Sequence, residues 1–127
     1  EGKDTHLLMF LCQAASFDPD PQAYLGLRLP VTLDTCEIIP ERWENWLAWD
    51  PALMVKSHAD NIARLKGFFL DCGTEDQYAI LYGTRRIHKE LDRRGIAHRY
   101  EEFPDNHSGV DYRMDVSLPY LAEVLSR

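Results

Sequence analysis

The sequence predicts an α/β fold in which parallel strands are joined by a crossover helix, and three neighbouring segments carry this prediction. Residues 67–72 (GFFLDC) form a short apolar run bounded by glycines, which is typical of a strand buried on both faces. Residues 77–94 repeat apolar side chains at helical spacing, and residues 96–103 form a second, half-apolar strand. A strand, a helix and a strand in this order indicate a βαβ unit of a parallel sheet.

The residues before this unit predict helices around an irregular excursion. Residues 4–16 (DTHLLMFLCQAAS) favour a helix, and because it is apolar nearly all round it must be covered on most sides. Residues 17–40 contain several prolines and predict irregular backbone, with at most a short edge strand over residues 25–33. Short helices are predicted over residues 40–49, after the Asp50-Pro51 pair and over residues 57–65.

The long helix and the C-terminal segment complete the predicted elements. The apolar face of the long helix is formed by Ile80, Thr84, Ile87 and Leu91. Gly95 follows at the left-handed position that ends many helices. A final helix is predicted over residues 115–125, with Asp115 or Ser117 as its N-cap and Pro119 in its first turn.

Length and charge limit the classes of protein and partner. A chain of 127 residues suits one domain rather than two. The net charge of −7 argues against nucleic-acid binding, which needs a basic face. No apolar run reaches the roughly 18 residues that span a bilayer, and the first residues lack the features of a signal peptide. We therefore expect a cytoplasmic protein that binds neither nucleic acid nor membrane.

Neither a cofactor nor a metal is predicted. The three cysteines are Cys12, Cys36 and Cys72. Their spacing lacks a CxxC pair, which argues against a zinc or redox site, and they are expected to be reduced, buried thiols. His107, Asp105 and Asp111 could bind a metal in principle, but their spacing matches no recognised metal motif.

A histidine and an acid follow the two predicted strands and form the candidate catalytic pair. Asp76 lies after the first strand in DCGTEDQY, and His107 lies after the second strand in PDNHSGVDYR. Because ligands gather at the carboxyl ends of parallel strands, we expect these two side chains to meet. His107 would then act as a general base that Asp76 orients. Asp71 and Glu75 compete for the acid role, but Asp76 is better placed to point back over the sheet, and Asp71 is expected to be a structural group.

Other notable side chains have milder interpretations. Trp43, Trp46 and Leu47 share one helical face, which indicates either core packing or the wall of an apolar substrate pocket. Tyr112 and Arg113 are expected to brace the histidine loop rather than touch substrate. His88 and His98 are expected to be structural or exposed, and His58 to be a surface or capping residue. Cys72 is expected to be a small buried side chain.

Four segments, in this order and spacing, resemble the C-terminal third of the esterase D-like family of the α/β-hydrolase superfamily: DCGTEDQY, GTRRIHKEL, GIAHRYEEF and DNHSGVDYR. The resemblance is strongest over residues 66–126, and residues 17–65 resemble the variable cap of that family. It implies a single partial α/β-hydrolase domain over residues 1–127, in which residues 66–127 supply the last two strands, the acid loop, the histidine loop and the C-terminal helix. It also implies a serine esterase with a Ser-His-Asp catalytic triad, because Asp76 and His107 fall on the acid and histidine positions of the family.

The sequence departs from the family at the nucleophile. The G-x-S-x-G elbow that should precede the acid is absent. The serines present, none of which has the flanking glycines of an elbow, are Ser16, Ser57, Ser108, Ser117 and Ser126. We therefore expect a C-terminal fragment, inactive alone, whose nucleophile lies on a missing N-terminal portion or a partner chain.

The expected partners follow from that interpretation, and two other functions stay open. The substrate would be a small-molecule ester, and sheet edges left unpaired would also invite a homo-oligomer. The same parts could serve an acyltransferase, or the chain could be a non-catalytic interaction domain that kept the hydrolase layout. A G-x-S-x-G motif upstream in the same reading frame would favour the enzyme over the interaction domain.

Overall fold

The computed structural model describes residues 2–127, which form two compact units. One unit ends at Leu53, and the other spans Met54–Arg127. The helices are α1 (Gly2–Phe17), α2 (Pro40–Leu47), α3 (Pro51–Ser57), α4 (Ala59–Ile62), α5 (Ile80–Arg93) and α6 (Met114–Ser126). The strands are β1 (Phe69–Gly73) and β2 (Arg99–Phe103).

In the first unit, α1 is held against α2 by a buried carboxylate and an aromatic cluster. Asp18, which is 5% exposed, accepts a hydrogen bond of 2.8 Å from Asn45 Nδ2 and pairs with Arg42 at 3.3 Å. The indole of Trp46 contacts the rings of Phe10 and Phe17, with centroids 5.1 and 5.3 Å apart. A buried charge needs such partners, so these contacts set how the end of α1 meets α2.

The segment between α1 and α2 is irregular, as the prolines predict, but the edge strand expected over residues 25–33 does not form. Isolated antiparallel bridges join Pro19 to Leu27 and Val31 to Ile38. Within the loop that the first bridge closes, the backbone of Leu25 turns into the left-handed region, with φ of 63°. An extended strand cannot pass through that conformation, so the alternating leucines never pair as a ladder.

Much of the apolar surface of α1 is open to solvent. Leu7, Leu8 and Met9 are 59%, 62% and 48% exposed. The expectation that this helix is covered on most sides is therefore not met by residues 2–127. Burying side chains of this size would each contribute about 1.5–3 kcal/mol, so the exposed face carries a substantial unused driving force for association.

The second unit contains the predicted βαβ arrangement. Strands β1 and β2 pair in parallel, from Phe69 opposite Arg99 to Gly73 opposite Phe103, and α5 is the crossover that packs on β1. The α/β prediction is confirmed at this level. The expectation that the first strand is buried on both faces holds for its end at Cys72 and Gly73, whereas its first three residues are only half-buried.

Helix α5 begins three residues later than the sequence predicted. The Asp76 carboxylate accepts hydrogen bonds from the N–H groups of Tyr78 and Ile80, and Ala79 adopts a left-handed φ of 58°. The left-handed conformation of Ala79 interrupts the helical backbone, so residues 77–79 stay outside α5. Thr84 and Leu91 of the predicted face are buried, but Leu81 is buried in place of Ile80, which is 45% exposed.

The C-terminus of α5 ends as predicted. Gly95 has a φ of 67°, and its N–H donates to the Asp92 carbonyl at 2.9 Å. The N–H of Ile96 donates to the Leu91 carbonyl at 3.0 Å. These two bonds form a Schellman motif, which satisfies carbonyl groups at the end of the helix and turns the chain toward β2.

Helix α6 spans Met114–Ser126, and neither predicted cap is used. Asp115 and Ser117 both lie inside the helix, because a 3₁₀ turn over Val110–Arg113 leads directly into it. Pro119 also lies in the helix interior rather than in its first turn. The preceding turn already supplies backbone partners to the helix start, so no side-chain cap is required there.

The fold also tests the expected burial of the three cysteines. Cys72 is buried, but Cys12 and Cys36 are exposed, which corrects the expectation of three buried thiols.

Within residues 2–127, every helix is too short or too polar to traverse a lipid bilayer.

Arg113 ties the two strands of the sheet together. Asp71 and Glu101 are direct neighbours in the strand register, which would place two like charges side by side. Arg113 donates from Nε to Asp71 Oδ2 at 2.9 Å and from Nη2 to Glu101 Oε2 at 2.5 Å. Hydrogen bonds from Arg113 and Arg99 hold the pKa of Glu101 below its ordinary value. The guanidinium also lies 4.7 Å from the ring centroid of Phe103.

Arg113→Met should lower the free energy of unfolding by about 2 kcal/mol, because it removes the cation that bridges Asp71 and Glu101 and leaves Glu101 with Arg99 alone. Urea denaturation followed by circular dichroism measures this. Adding Glu101→Gln to the variant should recover part of the loss. Arg127→Met is the matched control, since Arg127 is 72% exposed and should change the stability by less than about 0.5 kcal/mol. Equal effects of the two substitutions would contradict the bridging role.

Candidate active site

The loops that follow β1 and β2 bring the predicted acid and histidine together. Asp76 lies three residues after the end of β1, and His107 lies four residues after the end of β2. Their side chains join through His107 Nδ1 and Asp76 Oδ2 at 2.9 Å. Asp76 is 2% exposed in its side chain, while His107 is 51% exposed. One partner is therefore fixed inside the loop and the other is open to an incoming molecule.

The contact assigns the proton on the imidazole. A carboxylate oxygen accepts hydrogen bonds and cannot donate them, so Nδ1 of His107 carries the hydrogen that faces Asp76. In the neutral ring the proton-free atom is then Nε2, which points away from the acid. This is the tautomer that a general base needs, because Nε2 can receive a proton while the carboxylate stabilises the resulting cation.

Asp76 is held as a carboxylate by a ring of donors. Oδ1 accepts from the N–H groups of Tyr78 at 2.9 Å and Ile80 at 3.2 Å, and Oδ2 accepts from His107. Burial by itself would raise the pKa of Asp76, but the hydrogen bonds from His107, Ile80 and Tyr78 together outweigh it. The pKa of Asp76 therefore lies below its ordinary value.

The histidine loop is positioned by backbone contacts to the acid loop. The His107 N–H donates to Gln77 Oε1 at 2.9 Å, and the Glu75 N–H donates to the Asp105 carbonyl at 3.0 Å. The ring of Tyr78 meets the His107 ring edge-on, with centroids 5.1 Å apart. Sequence reasoning did not single out Gln77 or Tyr78. Their position directly after the acid was the only available signal.

Among residues 2–127, no described hydrogen bond joins the side chain of His107 to either of the competing acids, Asp71 and Glu75. Asp71 is paired with Arg113, which agrees with its expected structural role, and Glu75 is an exposed loop residue. Tyr112 donates to Asp105 Oδ2 at 3.2 Å, so Tyr112 and Arg113 brace the loop as predicted. Asp76 is therefore the acid that geometry selects among the three candidates.

A small cavity of about 150 Å³ opens beside the pair. Its lining includes the side chains of Asp76, His107, Ile80, Phe103 and Val110. Cys72 also faces this cavity, but burial raises the pKa of its thiol, so the thiol is protonated at neutral pH. Cys72 is thus a poor nucleophile, consistent with the prediction of a small buried side chain.

None of the hydrogen bonds described for residues 2–127 joins a serine, threonine or cysteine to Nε2 of His107. Ser108, the nearest serine in sequence, instead accepts a hydrogen bond of 3.5 Å from Gln77 Nε2. The described residues therefore provide the acid and the base, while the hydroxyl that would complete a triad is not among the groups that the histidine contacts.

The two tryptophans proposed for a substrate pocket belong to the other compact unit. Trp46 packs against Phe10 and Phe17, which is the core-packing interpretation, and its Nε1 is buried without a hydrogen-bond partner. Trp43 stacks on Trp46 with centroids 6.3 Å apart. The apolar cavity of about 460 Å³ in that unit is lined by other side chains, among them Leu7, Leu11 and Leu25.

A second polar cluster, which sequence reasoning missed, lies away from the acid and the histidine. His88, Asp92 and His98 each present one potential metal-ligating atom within 4.8 Å of the others. The trio considered from the sequence, His107, Asp105 and Asp111, does not come together in this way among residues 2–127. The available signal was the spacing of His88 and Asp92, which are four residues apart on one helix.

No protein-family model matches this chain, and no curated protein matches it closely enough to be assigned as a relative.

Gly73→Ala should displace the histidine loop. A Cβ at this position would lie 2.8 Å from the carbonyl carbon of Asp105 and 3.0 Å from the carbonyl oxygen of Asn106, which are backbone atoms that cannot rotate away. We expect a loss of more than about 2 kcal/mol in unfolding free energy, and a shift of the His107 amide signal in a nitrogen–proton NMR spectrum.

The matched control is Gly83→Ala at the fourth residue of α5, where a Cβ meets no atom within 4 Å. This change should stabilise the helix by about 0.5–1 kcal/mol. Opposite signs for the two substitutions are the expected result. A neutral Gly73→Ala variant with an unmoved His107 signal would contradict the close approach of the two loops.

Asp76→Asn should destabilise the protein in a pH-dependent way. A carboxyl whose pKa is lower in the folded than in the unfolded chain stabilises the fold above the unfolded value of about 3.9, and that stabilisation disappears as pH falls through the folded value. Urea denaturation should show a loss of about 1.5–3 kcal/mol at pH 7 that shrinks below about pH 4. Glu75→Gln, in the same loop, should have little effect at either pH. A pH-independent difference for Asp76→Asn would contradict the ionised pair.

Proposed function

We propose that this chain supplies the acid and the base of a serine-type carboxylic-ester hydrolase. The observation that carries the proposal is the 2.9 Å contact between Asp76 Oδ2 and His107 Nδ1 at the carboxyl ends of two parallel strands. A buried acid, an exposed imidazole and the tautomer that leaves Nε2 free are the parts that acyl transfer to water requires. The substrate class is a small-molecule ester.

In this proposal His107 moves the proton and Asp76 holds the ring. Nε2 of His107 takes the proton from a serine hydroxyl as that oxygen attacks the ester carbonyl, and returns it to the leaving alcohol. Nδ1–H remains hydrogen-bonded to Asp76 throughout, and the carboxylate stabilises the imidazolium while it exists. The lowered pKa of Asp76 suits this role, because the acid stays ionised when the histidine becomes charged.

The nucleophilic serine is proposed to lie outside these 127 residues. The sequence contains no G-x-S-x-G elbow, and Ser108 is engaged with Gln77 rather than with the free nitrogen of His107. The cavity beside the pair, at about 150 Å³, is smaller than the roughly 300–1,000 Å³ typical of ligand pockets. A second wall, contributed by the residues that carry the serine, would complete it.

The test compares this chain with a longer product of its reading frame that carries a G-x-S-x-G motif. With p-nitrophenyl acetate, the longer protein should hydrolyse the ester, and His107→Ala should lower kcat by at least about a thousandfold. Asp76→Asn should lower kcat by about 10²–10⁴-fold, because it disturbs the tautomer and the imidazolium. The 127-residue chain alone should show no hydrolysis, and a fluorophosphonate probe should label the serine of the elbow.

His58→Ala is the control, since His58 is an exposed histidine whose Nδ1 contacts the Met54 carbonyl and Ser57 Oγ. This variant should retain full activity. Full activity of the longer protein after His107→Ala would refute the proposed role of the pair. Hydrolysis by the 127-residue chain that His107→Ala abolishes would instead place the nucleophile inside these residues, against the proposal.

A further inference from the structure

A cluster of two imidazoles and a carboxylate lies at the end of the sheet opposite the acid–base pair. His88 and Asp92 are four residues apart on α5, and His98 is the residue before β2 begins, whereas His107 follows the end of the same strand. His98 is almost fully buried, with 4% of its side chain exposed, while His88 is 29% and Asp92 60% exposed. The cluster therefore has a fixed inner member and outer members that solvent ions can reach.

The hydrogen bonds of His98 leave one nitrogen available to the cluster. Nδ1 of His98 lies 2.8 Å from the Ile96 carbonyl oxygen, and because a carbonyl only accepts, that nitrogen carries the hydrogen. In the neutral ring Nε2 then has a free lone pair, and this atom faces His88 Nδ1 at 2.8 Å. A histidine whose second nitrogen donates to a backbone carbonyl is the arrangement that usually orients a metal ligand.

While both rings are neutral, His88 cannot donate a hydrogen bond to both of its neighbours, His98 and Asp92. If His88 Nδ1 donates to His98, the bare Nε2 of His88 faces Asp92 Oδ2 at 3.4 Å, which sets an acceptor against an acceptor. A divalent cation between His88 Nδ1 and His98 Nε2 removes this conflict. The hydrogen of His88 then sits on Nε2 and is donated to Asp92 Oδ2, while Asp92 Oδ1, 3.8 Å from His98 Nε2, turns toward the metal.

We propose that His88, Asp92 and His98 form a zinc site that clamps the end of α5 to the start of β2. Two imidazole nitrogens and one carboxylate oxygen are a donor set that zinc uses with a fourth, open position for water. Metal–ligand bonds of roughly 2.0–2.1 Å place tetrahedral donors about 3.3 Å apart. The nitrogens now at 2.8 Å must separate by about half an ångström and Asp92 must close by a similar amount, which two partly exposed side chains can do.

The surroundings support a clamp rather than a catalytic metal. The ring of His88 stacks on Tyr100 of β2 with centroids 4.0 Å apart and 14° between the planes, so the ligand is already held over the strand. His88 and His98 are ten positions apart in the chain, and the Gly95 turn lies between them. An ion that binds both sides of this turn only in the folded chain stabilises the fold by linkage.

Isothermal titration of the purified 127-residue chain with zinc chloride tests the site. The expected result is one saturable equivalent of zinc per chain, with no matching signal for Mg²⁺, which prefers oxygen ligands. Asp92→Asn and His88→Gln should each lower the association constant by at least about tenfold. Both residues are partly exposed, so these variants should fold even if His98→Ala does not, and circular dichroism checks this.

His58→Ala is the matched control, and it should bind zinc as the unaltered chain does. Proton NMR gives an independent readout: the ring signals of His88 and His98 should shift on zinc addition, while those of His58 stay in place. Absence of a saturable equivalent, or zinc binding that neither Asp92→Asn nor His88→Gln weakens, would overturn the proposal and leave the cluster as a histidine–histidine hydrogen bond. Because no ligand belongs to the acid–base pair, failure of the zinc site would not bear on the proposed hydrolase.

Discussion

The guanidinium of Arg113 makes the geometry of the histidine loop possible. It neutralises Asp71 and Glu101, which the parallel register would otherwise set against each other, and so allows β1 and β2 to pair through to Gly73 and Phe103. Because Arg113 lies six residues after His107, the same contacts also anchor the far end of the loop. The near end is fixed where Phe103 leaves the sheet. A loop held at both ends can keep an exposed imidazole oriented without burying it.

The acid loop and the histidine loop are locked by backbone contacts as much as by the acid–base pair itself. The absence of a side chain at Gly73 lets the Asp105 carbonyl come close, and the Glu75 N–H and Gln77 side chain reach across to the same loop. Asp76 meanwhile uses its second oxygen to shape the turn before α5. The acid therefore has two tasks, to orient His107 and to hold the turn before α5, and the hydrogen bonds of both favour its ionised form.

Helix α5 links two chemically distinct ends of the sheet. Its first residue is bonded to the acid of the proposed hydrolase, and its last turn carries Asp92 of the proposed zinc site. Three differences from the predicted elements arise where the local backbone takes a conformation that the sequence pattern did not signal. Ala79 takes a left-handed conformation and delays α5, Leu25 does the same within the expected edge strand, and the turn ending at Arg113 makes the caps Asp115 and Ser117 unnecessary.

The sequence by itself determined the order of strand, helix and strand, the glycine that ends α5, and the two loops after the strands in which a candidate acid and a histidine lie. These features follow from periodicity, turn chemistry and the rule that parallel strands share a carboxyl edge, all of which are local or topological. Only the tertiary structure decided that Asp76 rather than Asp71 or Glu75 contacts His107, that Gln77 holds the loop, and that His88, Asp92 and His98 converge. Those outcomes depend on side-chain directions across residues that are distant in the chain, and such directions are set by packing and strand register rather than by any short sequence pattern.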